Sequence, residues 1–325
     1  MRAVVITKPG GVDVLHLVER DSPVPARGEV RVRVHATAVN RADLLQRKGQ
    51  YAAPPDAPQE IPGLEYAGEV DALGADVTSL AVGDRVFGLV GGGAYAEQLV
   101  THARALARIP TYLSWEEAAA MPEACITAYD AMVTQGQLRG GETVLVHAAG
   151  SGVGTAAIQL ARALGATTIG PARTADKLER AAKLGLVHGV VASGGTFADA
   201  VKALAPDGVA VILDLVGGAY VEEDLRCIAI GGRLVVVGLT AGAKANLELG
   251  LLLHKRATII GTVIRARPLE EKIALHRTFE REVVPLIARG VVRAVIDEVL
   301  PLAEAGKAHA RLEANDTFGK IVLTM

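Results

Sequence analysis

Between residues 29 and 39 apolar and polar positions alternate, with Val30, Val32 and Val34 interleaved with Arg31 and Arg33. A period of two describes a strand with one buried face. Short runs at 2–6, 84–90 and 94–100 predict further strands, the last two joined through Gly91-Gly92-Gly93 as a hairpin or a flexible loop. Nine of the 14 prolines lie at or before Pro122, several of them in the loop 52–62. The amino-terminal part therefore reads as an irregular antiparallel β domain with proline-rich loops.

The pattern changes at Ser114. Ser114-Trp115-Glu116-Glu117 has the form of a capping box, in which the hydroxyl and the Glu117 carboxylate satisfy free amides at a helix start. Beyond it, mostly β-branched runs at 143–147, 167–171, 186–191, 209–214, 233–238 and 257–264 alternate with helix-like segments such as 155–164 and 177–184. Such alternation implies a parallel sheet covered on both faces, and six strands are what a dinucleotide-binding sheet needs. After Pro268 the pattern is helical to residue 289, then offers strands at 294–300 and 319–324 around a helix at 303–314. These strands exceed what the sheet requires. One physical solution is that the tail returns to complete the first domain.

Length and charge narrow the function classes. The 325 residues suit two domains or one large one. The 34 basic and 36 acidic residues leave a net charge of −2, which gives no general reason to bind nucleic acid or an anionic membrane. Cys125 and Cys227, the two cysteines, cannot build a disulfide framework or a four-thiolate zinc site. The chain start reads as a short strand and a Pro9-Gly10 turn, without the apolar core of a signal peptide. The expectation is a globular cytoplasmic protein.

The longest uncharged run, 143–161, is nineteen residues and by count alone could span a bilayer. Gly150, Gly152, Gly154 and polar Ser151, Thr155 and Gln159 divide it instead into a strand, a turn and a helix. In the turn Ala149-Gly150-Ser151-Gly152-Val153-Gly154, small residues let backbone amides approach a pyrophosphate at the positive helix N-terminus. Ser151, Gly152, Val153 and Gly154 are thus cofactor-binding candidates. At the end of the next strand, an acid would bind an adenosine ribose and a cation a 2′-phosphate. Arg173, Thr174 and Lys177 stand there, and the first acid is Asp176, which favours NADPH.

Ordered markers run along the whole chain: Asn40-Arg41-Ala42-Asp43, Gly49-Gln50-Tyr51, Gly63-Leu64-Glu65, Gly83-Asp84-Arg85-Val86, Thr127-Ala128, Gly141-Glu142-Thr143-Val144-Leu145-Val146-His147 and Gly319-Lys320-Ile321-Val322. Together these resemble the quinone oxidoreductase (zeta-crystallin-like) branch of the medium-chain dehydrogenase/reductase superfamily, most of all the subgroup of the tumour-suppressor-inducible enzyme. The resemblance implies an α/β chain. A GroES-like catalytic domain would span 1–121 and 266–325, and a doubly wound Rossmann domain binding NADPH would span 122–265. It also implies a homodimer.

The same resemblance places Asn40 and Tyr51 at the nicotinamide and substrate, as catalytic residues. It adds Thr127, Gly217, Gly238, Leu239, Ile264, Arg265 and Lys320 to the cofactor contacts. Tyr129 is left open between a cleft position and helix packing. Ala192-Ser193 departs from the Asn-Tyr that relatives often carry after the third strand, which puts an adenosine-side contact in doubt. Zinc alcohol dehydrogenases of the superfamily hold their metal with thiolate, imidazole and thiolate. Here Asn40 and Leu64 stand at the first two positions, with Glu123 and Cys125 near the third, so no metal is expected and Glu65 reads as a structural carboxylate.

Without metal or histidine acid, reactions needing alkoxide stabilisation lose support. His147 and Cys125 read as packing or hydrogen-bonding residues rather than a base or a nucleophile. The expected activity is that of an NADPH:quinone oxidoreductase, with hydride passing to quinones or similar electron-poor carbonyls. The alternatives are an enoyl (activated C=C) reductase, or a structural NADPH-binding protein that contacts RNA. A charge near neutrality argues against nucleic acid as the main partner.

Overall fold

The computed structural model describes all 325 residues apart from the side chain of Ser193. Two compact units are present. One joins Met1–Glu123 to Ile264–Met325, and the other is Ala124–Val263.

In the first unit a sheet of seven strands is built around Glu29–Ala38. Val30, Val32 and Val34 face the core while Arg31 and Arg33 face outward. The arginines pair with Asp71 at 2.7 Å and Glu69 at 2.9 Å on the neighbouring strand Glu65–Leu73, so charge matching reinforces the register. The tail contributes two strands, Ile296–Pro301 parallel to Lys320–Thr324, and the latter runs antiparallel to Glu29–Ala38 with Val322 opposite Ala38.

The glycine run 91–93 does not form a hairpin. Arg85–Leu89 pairs with Glu65–Leu73 and Ala107–Arg108, whereas the next strand, Gln98–His102, starts later than expected and pairs with Glu29–Ala38. Residues 94–96 are buried, and their backbone is occupied by Gly63, Pro62 and Val4. That bonding draws the segment away from the strand before it. A short helix, Arg41–Arg47, which the sequence pattern did not announce, follows Asn40.

In the second unit six parallel strands are ordered third-second-first-fourth-fifth-sixth: His188–Val191, Thr167–Ala172, Thr143–Val146, Val209–Asp214, Ile228–Val236 and Thr258–Gly261. This is the doubly wound dinucleotide-binding order. Its two central strands, Thr143–Val146 and Val209–Asp214, are buried almost throughout, as a sheet covered on both faces requires. The uncharged run resolves into strand Thr143–Val146, a turn, and helix Gly152–Ala163. The helix begins ahead of residue 155 because Ser151 caps it. No helix among the described residues is long and apolar enough to cross a membrane.

Candidate functional site

The second unit's turn closes tightly on its own helix. Ser151 caps helix Gly152–Ala163 by accepting the Gly154 amide at 3.0 Å. A Cβ on Gly154 would lie 2.4 Å from the Ala148 carbonyl oxygen, so only glycine lets the helix sit this close to the strand end. Ala148 itself adopts the left-handed region at φ 47. Ser151, Gly152 and Val153 stay partly exposed at the helix start, where free amides and the helix dipole favour an anion. These features fit a pyrophosphate.

Arg173 and Thr174 are exposed directly after strand Thr167–Ala172, and Lys177 is half-buried one turn into helix Ala175–Ala182, which Thr174 precedes. Among the described residues the hydroxyl of buried Thr127 has no hydrogen-bond partner. Gly217 adopts φ 65, and a Cβ there would lie 2.9 Å from Leu239 Cδ2. A Cβ on Gly238 would lie 2.6 Å from the Leu215 carbonyl oxygen, so the two loops after the fourth and fifth strands approach backbone to backbone. Leu239 is exposed on their rim. Tyr129 is half-buried at the end of helix Pro122–Tyr129, and Cys125 is buried in it. Ala192 is buried, while the side chain of Ser193 lies outside the described residues.

His147 ends the first strand and is fully buried between two carboxylates. Its Nδ1 lies 2.8 Å from Asp214 Oδ1 and its Nε2 2.8 Å from Asp224 Oδ1. Burial alone would lower the imidazole pKa; the Asp224 charge and the two hydrogen bonds outweigh burial and raise it to about 10. Burial pushes Asp224 up to about 6 against the pull of His147. Asp214 lies below the usual range, because His147 and the amides of Gly217 and Val216 overcome its burial. Among the described residues this is the one cluster with the ligand types of a metal site, and its distances are those of hydrogen bonds.

In the first unit Asn40, Glu65 and Lys320 converge from three distant parts of the chain. Lys320 Nζ lies 2.7 Å from Glu65 Oε1 and also donates to Asn40 Oδ1. Asn40 Nδ2 donates to the same Glu65 oxygen at 2.9 Å, and the other Glu65 oxygen accepts the Glu123 amide at 2.9 Å. The donor set does not fit zinc. Asn40 and Leu64 bring neither thiolate nor imidazole, and the ammonium already occupies the oxygens of Asn40 and Glu65.

Arg265 and Tyr51 are brought together, though not as two free cofactor contacts. The buried Arg265 guanidinium donates to the carbonyls of Gly91 at 2.7 Å and Tyr51 at 3.3 Å and to the Gln46 side chain. It lies 5.2 Å over the half-buried Tyr51 ring. Ile264 precedes it, half-buried.

The sequence pattern missed Asp43, Tyr95 and His309. Asp43 is fully buried and accepts the amides of Asn40 at 2.8 Å and Gly63 at 3.1 Å. Burial pushes its carboxyl up to about 6, against the lowering influence of those amides, Arg265 and Lys320. Tyr95 bridges it to His309 through its hydroxyl. The available signal was Asp43 three residues after Asn40, a helix-start spacing.

Two family models match the chain. One, an alcohol dehydrogenase GroES-like domain, covers residues 26–111, and the other, a zinc-binding dehydrogenase, covers 152–281. The quinone oxidoreductase of Pseudomonas aeruginosa is 36% identical over 324 residues, spanning 97% of this chain and 96% of that protein. The synaptic vesicle membrane protein VAT-1 homolog of Danio rerio is 32% identical over 341 residues, spanning 99% of this chain and 70% of that protein. The Escherichia coli quinone oxidoreductase, solved in complex with NADPH, superposes with a TM-score of 0.89 at 30% identity, and 100% of each chain is covered.

Proposed function

The chain belongs to the quinone oxidoreductase branch of the medium-chain dehydrogenase/reductase superfamily, and from that membership we propose that it is a zinc-independent, NADPH-dependent reductase of quinones or similar electron-poor carbonyls. The observation that carries the reading is the Asn40–Glu65–Lys320 cluster. An ammonium stands among the groups that a catalytic metal would need, so acceptors that demand a Lewis acid find none in this donor set.

When bound, NADPH supplies a hydride, which with one solvent proton converts a quinone to its hydroquinone. The chain's own residues bind and orient. Ser151, Gly152, Val153 and Gly154 take the pyrophosphate, and Arg173, Thr174 and Lys177 the 2′-phosphate, with Thr127, Gly217, Gly238 and Leu239 bordering them. Asn40 and Tyr51 serve the acceptor, the first as part of the Glu65–Lys320 cluster and the second by its ring face. Lys320 holds Asn40 by its carbonyl oxygen and thereby sets which way the amide points.

A homodimer and a cytoplasmic location belong to the same proposal. Among the described residues strand Thr258–Gly261 ends the sheet with one edge unpaired, and Leu249 and Leu253 on the preceding helix, Ile259 in the strand and Val263 after it are exposed. Neither cysteine is in a disulfide and both are buried, in keeping with a reducing compartment. Light scattering of the purified protein tests the dimer, and a monomer mass removes it.

Steady-state rates with NADPH and 1,4-benzoquinone, 9,10-phenanthrenequinone or an enoyl thioester test the activity. Quinone turnover well above thioester turnover is expected. A preference for the thioester overturns the assignment in favour of enoyl reduction. Tight NADPH binding without turnover on any acceptor overturns it in favour of a binding role.

A further inference from the structure

The His147–Asp214–Asp224 trio has no part in hydride transfer as proposed, yet it carries several buried ionisable groups at a cost that well-packed apolar residues would avoid. Its connections show what it organises. Asp214 Oδ1 accepts not only His147 Nδ1 but also the amides of Val216 and Gly217, each at 2.8 Å. The Asp214 main-chain carbonyl accepts Val237 at 2.8 Å and Gly238 at 3.2 Å. One residue thus anchors the loops after the fourth and fifth strands. His147 is bonded along the backbone to Ala148, where the glycine turn begins, and its own amide reaches the Leu213 carbonyl at 3.1 Å. Three loops at the carboxyl ends of parallel strands, where open α/β sheets bind their ligands, are thus tied together through Asp214, whose carboxylate the imidazole holds.

We propose that His147 is a positioning residue held as an imidazolium, and that its charge, balanced between Asp214 and Asp224, keeps the three cofactor-bordering loops in register for NADPH. The inference rests on the reading of the second unit as the NADPH-binding one. A neutral imidazole donates one hydrogen bond, whereas both ring nitrogens here face carboxyl oxygens, so with both carboxylates ionised both nitrogens must carry protons for both contacts to be attractive. Phe197 and Tyr220 pack their rings edge-on to the imidazole, with centroids at 5.3 Å and 5.1 Å. They seal the pair contacts from water and leave Asp214 and Asp224 as the charges that decide its state.

The other titratable groups packed nearby act at one remove. Glu223 and Cys227 neighbour Asp224 on helix Tyr220–Cys227, and the Glu223 carboxylate is turned to the amides of Phe197 and Ala198 at 2.8 Å and to Arg226. The Tyr220 hydroxyl feels Arg173. None of these hydrogen-bonds to the ring.

Two measurements test the proposal. Imidazole nitrogen shifts of the ¹⁵N-histidine-labelled, cofactor-free wild type should show both His147 nitrogens protonated from about pH 6 to about pH 8.5, well above the ordinary imidazole range. A neutral ring at about pH 8, with Asp224 carrying the proton instead, overturns the proposal. NADPH dissociation constants are then measured for wild type, Asp224→Asn and His147→Gln. His147→Gln should bind at least about tenfold more weakly at every pH, and Asp224→Asn only where its ring is seen to be neutral, so that affinity tracks ring charge.

Wild-type affinity in both variants, or a loss that ignores ring charge, overturns the positioning role. If the wild type itself does not bind NADPH, the reading of the second unit falls and the positioning role falls with it, while the nitrogen shifts still report the ring charge independently.

Discussion

Lys320 places its ammonium 2.7 Å from the Glu65 carboxylate, and both side chains are withdrawn from solvent. The contact depends on the residue before it. Gly319 takes φ +93, and a Cβ there would lie 2.2 Å from the Val295 carbonyl oxygen, so the last strand can enter the sheet only with glycine at that point. Removing one partner leaves the other charge buried and unpaired. Lys320→Met should therefore cost about 3–5 kcal/mol of stability, and Lys320→Met combined with Glu65→Gln should recover most of it. Urea denaturation of the wild type and the two variants measures this; a double variant no more stable than Lys320→Met contradicts it.

The glycine turn supports a paired prediction with opposite signs. Gly154→Ala pushes a methyl into the Ala148 carbonyl, so the helix start must retreat. A stability loss of about 1–3 kcal/mol and a weaker NADPH complex are expected. Ala148→Gly acts the other way, since a left-handed alanine at φ 47 is relieved by glycine, with a gain of about 0.5–1 kcal/mol. Thermal melts with and without NADPH separate the two. Equal effects on melting and none on ligand-induced stabilisation would mean that the turn is structural only.

How much of this was legible beforehand differs between the two units. The Val30–Val34 alternation and the strand–turn–helix around Ser151 are local patterns, and local patterns survive folding. Asp214 and Asp224 gave no such sign. An acid at a strand end or on a helix ordinarily faces water, and their histidine partner lies 67 and 77 residues away. Arg265 shows the converse. After a strand of the sheet it looks like a ligand-facing cation, yet its donors go to Gly91, Tyr51 and Gln46, at least 174 residues away in sequence. Long-range satisfaction of a buried donor leaves no periodicity to read.

His276 gives a pH prediction. It is fully buried, accepts the Leu89 amide at 2.9 Å through Nε2 and donates from Nδ1 to the Lys272 carbonyl at 2.7 Å, which suits only the neutral ring. Burial lowers its pKa to about 4. The unfolded chain binds the proton first, so the stability that the neutral ring provides is full above pH 6.5 and is lost as pH falls toward 4. The loss approaches roughly 3 kcal/mol, at about 1.4 per pH unit. Asp43 and Asp224, raised to about 6, take protons in the folded state and oppose this trend in the whole protein. The difference between wild type and His276→Gln isolates the ring, and it should change by about one proton's slope between these limits. A pH-independent difference refutes the assignment.

The proposed 2′-phosphate role of Arg173 and Lys177 gives a prediction about cofactor preference. Arg173 lies exposed at the end of strand Thr167–Ala172, where an acid would accept the ribose hydroxyls and a cation pairs with a 2′-phosphate. Lys177 stands one helical turn further on, in helix Ala175–Ala182, so in the proposed reading both charges serve the same 2′-phosphate. A charge-assisted hydrogen bond contributes about 1.5–3 kcal/mol, so Arg173→Ala/Lys177→Ala should weaken NADPH binding by roughly ten- to a hundredfold or more. NADH lacks the phosphate and should lose less than about threefold. Because the site is exposed, the NADPH loss should also shrink as salt is raised, whereas a packing defect would persist. Isothermal titration of both cofactors at low and high ionic strength measures all four values. Equal losses for NADPH and NADH, unchanged by salt, would assign these residues to the fold and withdraw the cofactor preference from them.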